Sequence, residues 1–72
     1  MTQAEAEIMR YFKRYMAGTS EVLFFNSGHA KSHPAQFRAA MASLIRNGLV
    51  VKERHQDAYS LTASGYQISR SA

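Results

Sequence analysis

The chain has 72 residues, no cysteine, 46% hydrophobic content and a formal charge of +4 from nine Lys and Arg against five Asp and Glu. That length accommodates one domain, read as spanning residues 1–72, and leaves little room for a substrate pocket. The hydrophobic fraction excludes a disordered composition, and the missing cysteines exclude a disulfide framework or a thiolate metal site. Residues 1–20 carry Glu5, Glu7, Arg10, Lys13 and Arg14, unlike the apolar core of a signal peptide. The longest apolar run, Val22 to Phe25, is far too short for a membrane span. These features point to a cytoplasmic protein with no membrane association.

The first predicted element is a helix from about residue 3 to Gly18. Thr2 and Glu5 have the spacing of a capping box, in which each side chain bonds the other residue's amide. Glu5 and Glu7 near the start and Lys13 and Arg14 near the end complement the helix dipole. Ile8, Tyr11, Phe12 and Tyr15 recur at helical spacing as a core stripe, with Met9 and Met16 widening it. The same Tyr and Met residues could extend past the core as a dimer seam, so a homodimer is one assembly the sequence allows.

Ser20 is a candidate cap for a second element. Residues 20–26 read either as a short helix or, from Val22, Phe24 and Phe25, as a strand; a short helix is the expectation. Asn26-Ser27-Gly28-His29 is turn chemistry, and Ala30-Lys31-Ser32 completes the loop. His33-Pro34 opens a further helix over about 33–47, capped by Ser32 or His33. Its buried stripe is Phe37, Ala40, Met41, Leu44 and Ile45. Gln36, Arg38, Ala39, Ser43 and Arg46 lie off that stripe.

Asn47-Gly48 stops the helix, since glycine adopts the left-handed conformation at low cost. A β-hairpin follows over about 49–61, with His55-Gln56-Asp57 at its tip. Either Leu49 and Val51 or Val50 and Leu61 face the core, depending on register. Thr62 caps a last short helix to about residue 69, carrying Tyr66 and Ile68, and the tail from Ser69 is expected to fray.

The spacing Leu44, Ile45, Asn47, Gly48, Leu49, Val50, then Tyr59, Leu61, Thr62, Gly65 resembles the DNA-binding core of MarR-like and PadR-like bacterial or phage regulators, over roughly residues 20–66. The resemblance implies a mostly helical α+β fold, the winged helix-turn-helix: three helices, a two-stranded β-hairpin wing and a short C-terminal helix. It implies a sequence-specific double-stranded DNA-binding protein, a small transcriptional regulator. The helix matching 33–47 would enter the major groove, and the wing at about 52–58 would touch the backbone. The chain departs from those families in a longer loop before that helix, in lacking the D-x-R pair of the MarR wing, and in lacking their long dimerisation helices.

The residues themselves agree with a polyanion partner. Between Glu21 and Glu53 there is no acidic residue, while His29, Lys31, His33, Arg38, Arg46 and Lys52 all fall in that interval. Ser32, His33, Gln36 and Arg38 form the expected reading face; Gln bonds adenine and Arg bonds guanine or phosphate. Lys31 and Arg46 are expected phosphate clamps, and Lys52, Arg54 and His55 expected wing contacts. About five phosphate contacts would give a salt slope of roughly −4 to −5. A protein partner is the alternative, through the small face of Ala39, Ala42 and Ser43. His29 and His33 have the four-residue spacing of helical zinc ligands, but Gly28 and Pro34 oppose one helix through both, so neither a metal nor another cofactor is expected. No nucleophile elbow or phosphate loop is present, and no enzyme activity is expected.

Overall fold

The computed structural model describes residues 1–25 and 34–71. In chain order these form α1 (Gln3–Arg14), β1 (Val22–Phe24), α2 (Pro34–Arg46), β2 (Val50–Lys52), β3 (Ala58–Leu61) and α3 (Ala63–Ser71). The result is a small, mostly helical α+β unit in which three helices pack around a three-stranded antiparallel sheet of order β1-β3-β2.

The capping box forms: Glu5 N donates to Thr2 Oγ1 at 3.1 Å and Thr2 N donates to Glu5 Oε1 at 2.8 Å. Helix α1 buries Glu5, Ile8, Met9 and Phe12. It ends at Arg14, short of the expected Gly18. The reason is a Schellman closure, with Met16 N bonded to Lys13 O and Ala17 N to Phe12 O, each at 3.0 Å. Met16 takes the left-handed position with φ 55°. This turn removes two residues from the expected core stripe, leaving Tyr15 57% and Met16 82% exposed. Met9 is fully buried, which withdraws it from any dimer seam.

Residues 22–24 form a strand, correcting the expected short helix and turning the expected two-stranded hairpin into a three-stranded sheet. Ser20, at φ 69°, breaks the local helical path. Val22, Leu23 and Phe24 then pair with Ser60, Tyr59 and Ala58. Segments this short take their structure from such partners, and β-branched and aromatic side chains suit a pleated surface. The Tyr11 hydroxyl donates to Phe24 O at 3.2 Å, covering part of the sheet edge left by β1.

The hairpin register is Val50 opposite Leu61, and both are buried. This settles the open alternative in favour of that pair. Val51 points outward, Leu49 is half-buried, and Ile45 of the expected α2 stripe is only partly covered. The core joins Ile8, Met9, Phe12, Phe25, Met41, Leu44, Val50 and Leu61, with Phe37, Tyr59 and Tyr66 packed against it.

Helix α2 ends in a second Schellman closure. Gly48 N reaches Ile45 O and Leu49 N reaches Leu44 O, each at 3.0 Å, with Gly48 at φ 74°. Thr62 locks this end to α3: its hydroxyl lies 2.6 Å from Gly48 O and accepts the Gly65 amide at 3.0 Å. The approach is close enough that a Cβ on Gly65 would stand 1.9 Å from Leu49 O. The L-T-x-x-G spacing is therefore a joint between hairpin and helix. Beyond it, α3 runs to Ser71, past the expected end near residue 69, and Ser69 is buried and donates to Tyr66 O at 2.8 Å.

Candidate nucleic-acid interface

Helix α2 is held by its inner side. Ala40, Met41 and Leu44 are buried, Phe37 half-buried. One flank is fixed to α1 by the Ser43 hydroxyl, which donates to Glu5 Oε2 at 2.9 Å. One carboxylate thus caps α1 and ties it to α2. Its bonds to the Thr2 amide, the Thr2 hydroxyl and Ser43 hold its pKa below the ordinary carboxylate value, against the opposing effect of burial. Nothing in the sequence signals this link, because Ser43 reads as an outward residue.

The outer side of α2 consists of Ala35, Ala39, Ala42 and Arg46, with Gln36 and Arg38 on its edges, all exposed. Arg38 and Arg46 are eight residues apart, about 12 Å along the axis at 1.5 Å per residue. No acidic residue occurs anywhere in α2. Gln36, Ala39, Ala40 and Ser43 also line a shallow groove of about 430 Å³ against Thr2 to Glu5 of α1. Lys31, Ser32 and His33, and with them the choice of helix cap and the His29–His33 spacing, lie outside the described residues.

The hairpin loop is built around Lys52. Its ammonium donates to Glu53 O at 2.7 Å and to His55 O at 2.9 Å, and lies 5.4 Å from the centre of the Tyr59 ring. The loop closes through Glu53 N to Ala58 O at 2.9 Å, with Asp57 in the left-handed region at φ 60°. Lys52 is thus committed to the loop's own carbonyls, which the sequence reading did not anticipate. Arg54 and His55 are exposed. The Glu53 carboxylate accepts from the Ser60 hydroxyl, so it is turned onto the sheet and not aligned with Lys52. The His55 ring stands 6.4 Å from the exposed Phe24 ring.

The structure therefore provides two exposed cationic groups on α2, Arg38 and Arg46, and one exposed loop cation, Arg54, beside His55. Of the remaining expected contacts, Gln36 is exposed on the α1 side and Lys52 is engaged internally. Among the described residues no cluster of His, Cys, Asp or Glu could hold a metal ion, and no helix is long and apolar enough to cross a membrane. Comparison with family models, curated proteins and solved structures finds no match to this chain.

Proposed function

We propose that the protein is a winged helix-turn-helix DNA-binding protein, a small transcriptional regulator, with α2 as the groove-entering helix and the β2–β3 hairpin as the wing. The observation that carries this reading is the exposed side of α2: three alanines that permit close approach, flanked by Arg38 and Arg46, with no acidic residue on the helix. Arg38 is the base-edge or phosphate contact, Gln36 a second base-edge contact, and Arg46 a phosphate clamp. Arg54 and His55 are the wing contacts. Lys52 supports the wing from within, and Lys31, Ser32 and His33 would complete the reading face.

The test is a fluorescence-anisotropy titration of a mixed-sequence duplex at several salt concentrations. Three to five phosphate contacts give a log–log slope of roughly −2.7 to −4.5. The double variant Arg38→Glu/Arg46→Glu should lose affinity while its melting curve stays close to the parent's. A flat salt dependence, or unchanged affinity in that variant, would overturn the assignment.

A second reading is supported by the groove between α1 and α2. A protein segment of small side chains laid along Ala39 and Gln36 would make the unit an interaction module. Under that reading Ala39→Arg blocks partner capture, and charge reversal at Arg38 leaves it intact.

A further inference from the structure

The sheet has two edges, and only one of them carries a charge. Bonding residues alternate along an antiparallel pair. Phe25 N bonds Asp57 O at 2.7 Å, so Phe25 and Leu23 turn their backbone groups toward β3, and Val22 and Phe24 turn theirs to the open side of β1. The Tyr11 hydroxyl, 3.2 Å from Phe24 O, marks that side, and the carbonyl keeps a second lone pair. By the same alternation, the bond from Glu53 N to Ala58 O turns Val50 and Lys52 to the open side of β2. That edge carries Lys52, and lysine is a common protection against strand pairing. Strand β1 reads Val-Leu-Phe, and Glu21 is the only charged residue from Gly18 to Phe25.

The side chains of Val22 and Phe24 stand on the outer face of the sheet, 41% and 57% exposed. The exposed Tyr15 ring lies 4.8 Å from that of Tyr11 and so flanks the same edge. Stacking two sheets face to face would cover Val22, Phe24 and Val51 together. The middle of that face, however, holds Ser60 bonded to the Glu53 carboxylate. A stacked copy would bury that carboxylate and bring a second one into the same layer, which is costly. Pairing edge to edge leaves Glu53 in water.

We propose that β1 is a dimer interface. Two copies pair their β1 strands antiparallel about a twofold axis at Leu23, making one six-stranded sheet. Val22 then lies opposite the partner's Phe24, and Phe24 opposite the partner's Val22. Each pair exchanges two backbone bonds and sets an aromatic ring beside a β-branched side chain, a favourable cross-strand match. The strand is its own complement, the condition for an isologous contact, and this selects a second copy as the occupant. Phe24, Tyr15 and Val22 offer roughly 300 Å² of side-chain surface per copy, taking the usual size of aromatic side chains. Two copies together cover about 600 Å² before the paired backbones are added, the size of a weak, concentration-dependent dimer. The inference goes beyond the reading of α2 and does not depend on it.

The experiment is sedimentation velocity over a micromolar to millimolar concentration series, with hydrogen exchange followed by NMR on the same samples. The mass should rise from 8.1 kDa toward twice that value. Exchange at the Val22 and Phe24 amides should slow as concentration rises, while the Lys52 amide on the opposite edge stays unchanged. Phe24→Lys should raise the dissociation constant by on the order of tenfold or more, as loss of a central anchor does. Its melting curve at low concentration should stay close to the parent's. Val22→Pro removes an amide bonded only between copies and should act in the same direction. Val51→Lys, on the outer face of β2, should leave the dimer intact. A parent that remains at 8.1 kDa throughout overturns the proposal, as does a dimer that persists in both β1 variants. Loss of the dimer in Val51→Lys with retention in Phe24→Lys means that the sheets stack by their faces, and overturns edge pairing. Where a variant melts early, exchange in the parent decides: Val22 and Phe24 amides that stay unprotected at high concentration overturn the proposal whatever the mass.

Discussion

Helices α1 and α2 end in the same way, yet one end is legible in the sequence and the other is not. Each closes with paired 6→1 and 5→2 backbone bonds, and each places one residue in the left-handed region. At the end of α2 that residue is Gly48, and the turn is expected from Asn47-Gly48 alone. At the end of α1 it is Met16, whose side chain disfavours the conformation, while Gly18 two residues on misdirects the reading. What holds the α1 turn is apolar: Ala17 and Phe12, the two residues joined by the 6→1 bond, are both buried. Glycine makes such a turn cheap, whereas packing beneath it can impose the same turn on a residue that would not choose it.

The comparison can be broken most severely at Gly65, which abuts the α2 end. Gly65→Ala places a methyl carbon against Leu49 O, so the hairpin and α3 must separate. Overpacking of this kind costs about 1–3 kcal/mol and can cost more, measurable as a lowered urea midpoint with little change in slope. Gly48→Ala tests the turn without a clash, since nothing lies within 4 Å of a Cβ there. The expected loss is about 1–2 kcal/mol, from the left-handed backbone alone. Met16→Gly is the reverse experiment. Relief of the left-handed strain, less the added freedom of the unfolded chain, should raise stability by roughly 0.5–1 kcal/mol. A loss of stability in that variant would mean that the Met16 side chain, although exposed, contributes packing.

The opposite end of α1 is probed through pH. Glu5 has a folded pKa below its unfolded value, so its contribution is present above the unfolded pKa and is lost as pH falls through the folded one. The parent should lose stability below the ordinary carboxylate range, and Glu5→Gln should flatten that loss. The neutral-pH penalty should be small, because glutamine also satisfies a capping box. An unchanged acid profile in Glu5→Gln would place the acid sensitivity elsewhere.

The sequence made the hairpin, its flanking helix end and the Thr62 cap readable because their hydrogen bonds join residues close along the chain. It misread β1 because Val22–Phe24 acquire strand structure only by pairing with Ala58–Ser60, far away in sequence. The same division runs through the candidate interface. Exposure of Arg38, Arg46 and Arg54 follows from their positions off an apolar stripe or in a polar loop. The bond between Ser43 and Glu5 is a tertiary contact with no local pattern, and so could not be read.

The position of Lys52 bears on how the hairpin could be studied by chemical labelling. Acetylating its amine would remove the charge above Tyr59 and leave a single N–H for the two carbonyl contacts, slackening the turn that presents Arg54 and His55. Blanket amine modification would also reach Lys13 and Lys31, so a change in partner binding after it could come from the loosened loop or from either of those amines. It would not identify Lys52 as a group that touches the ligand.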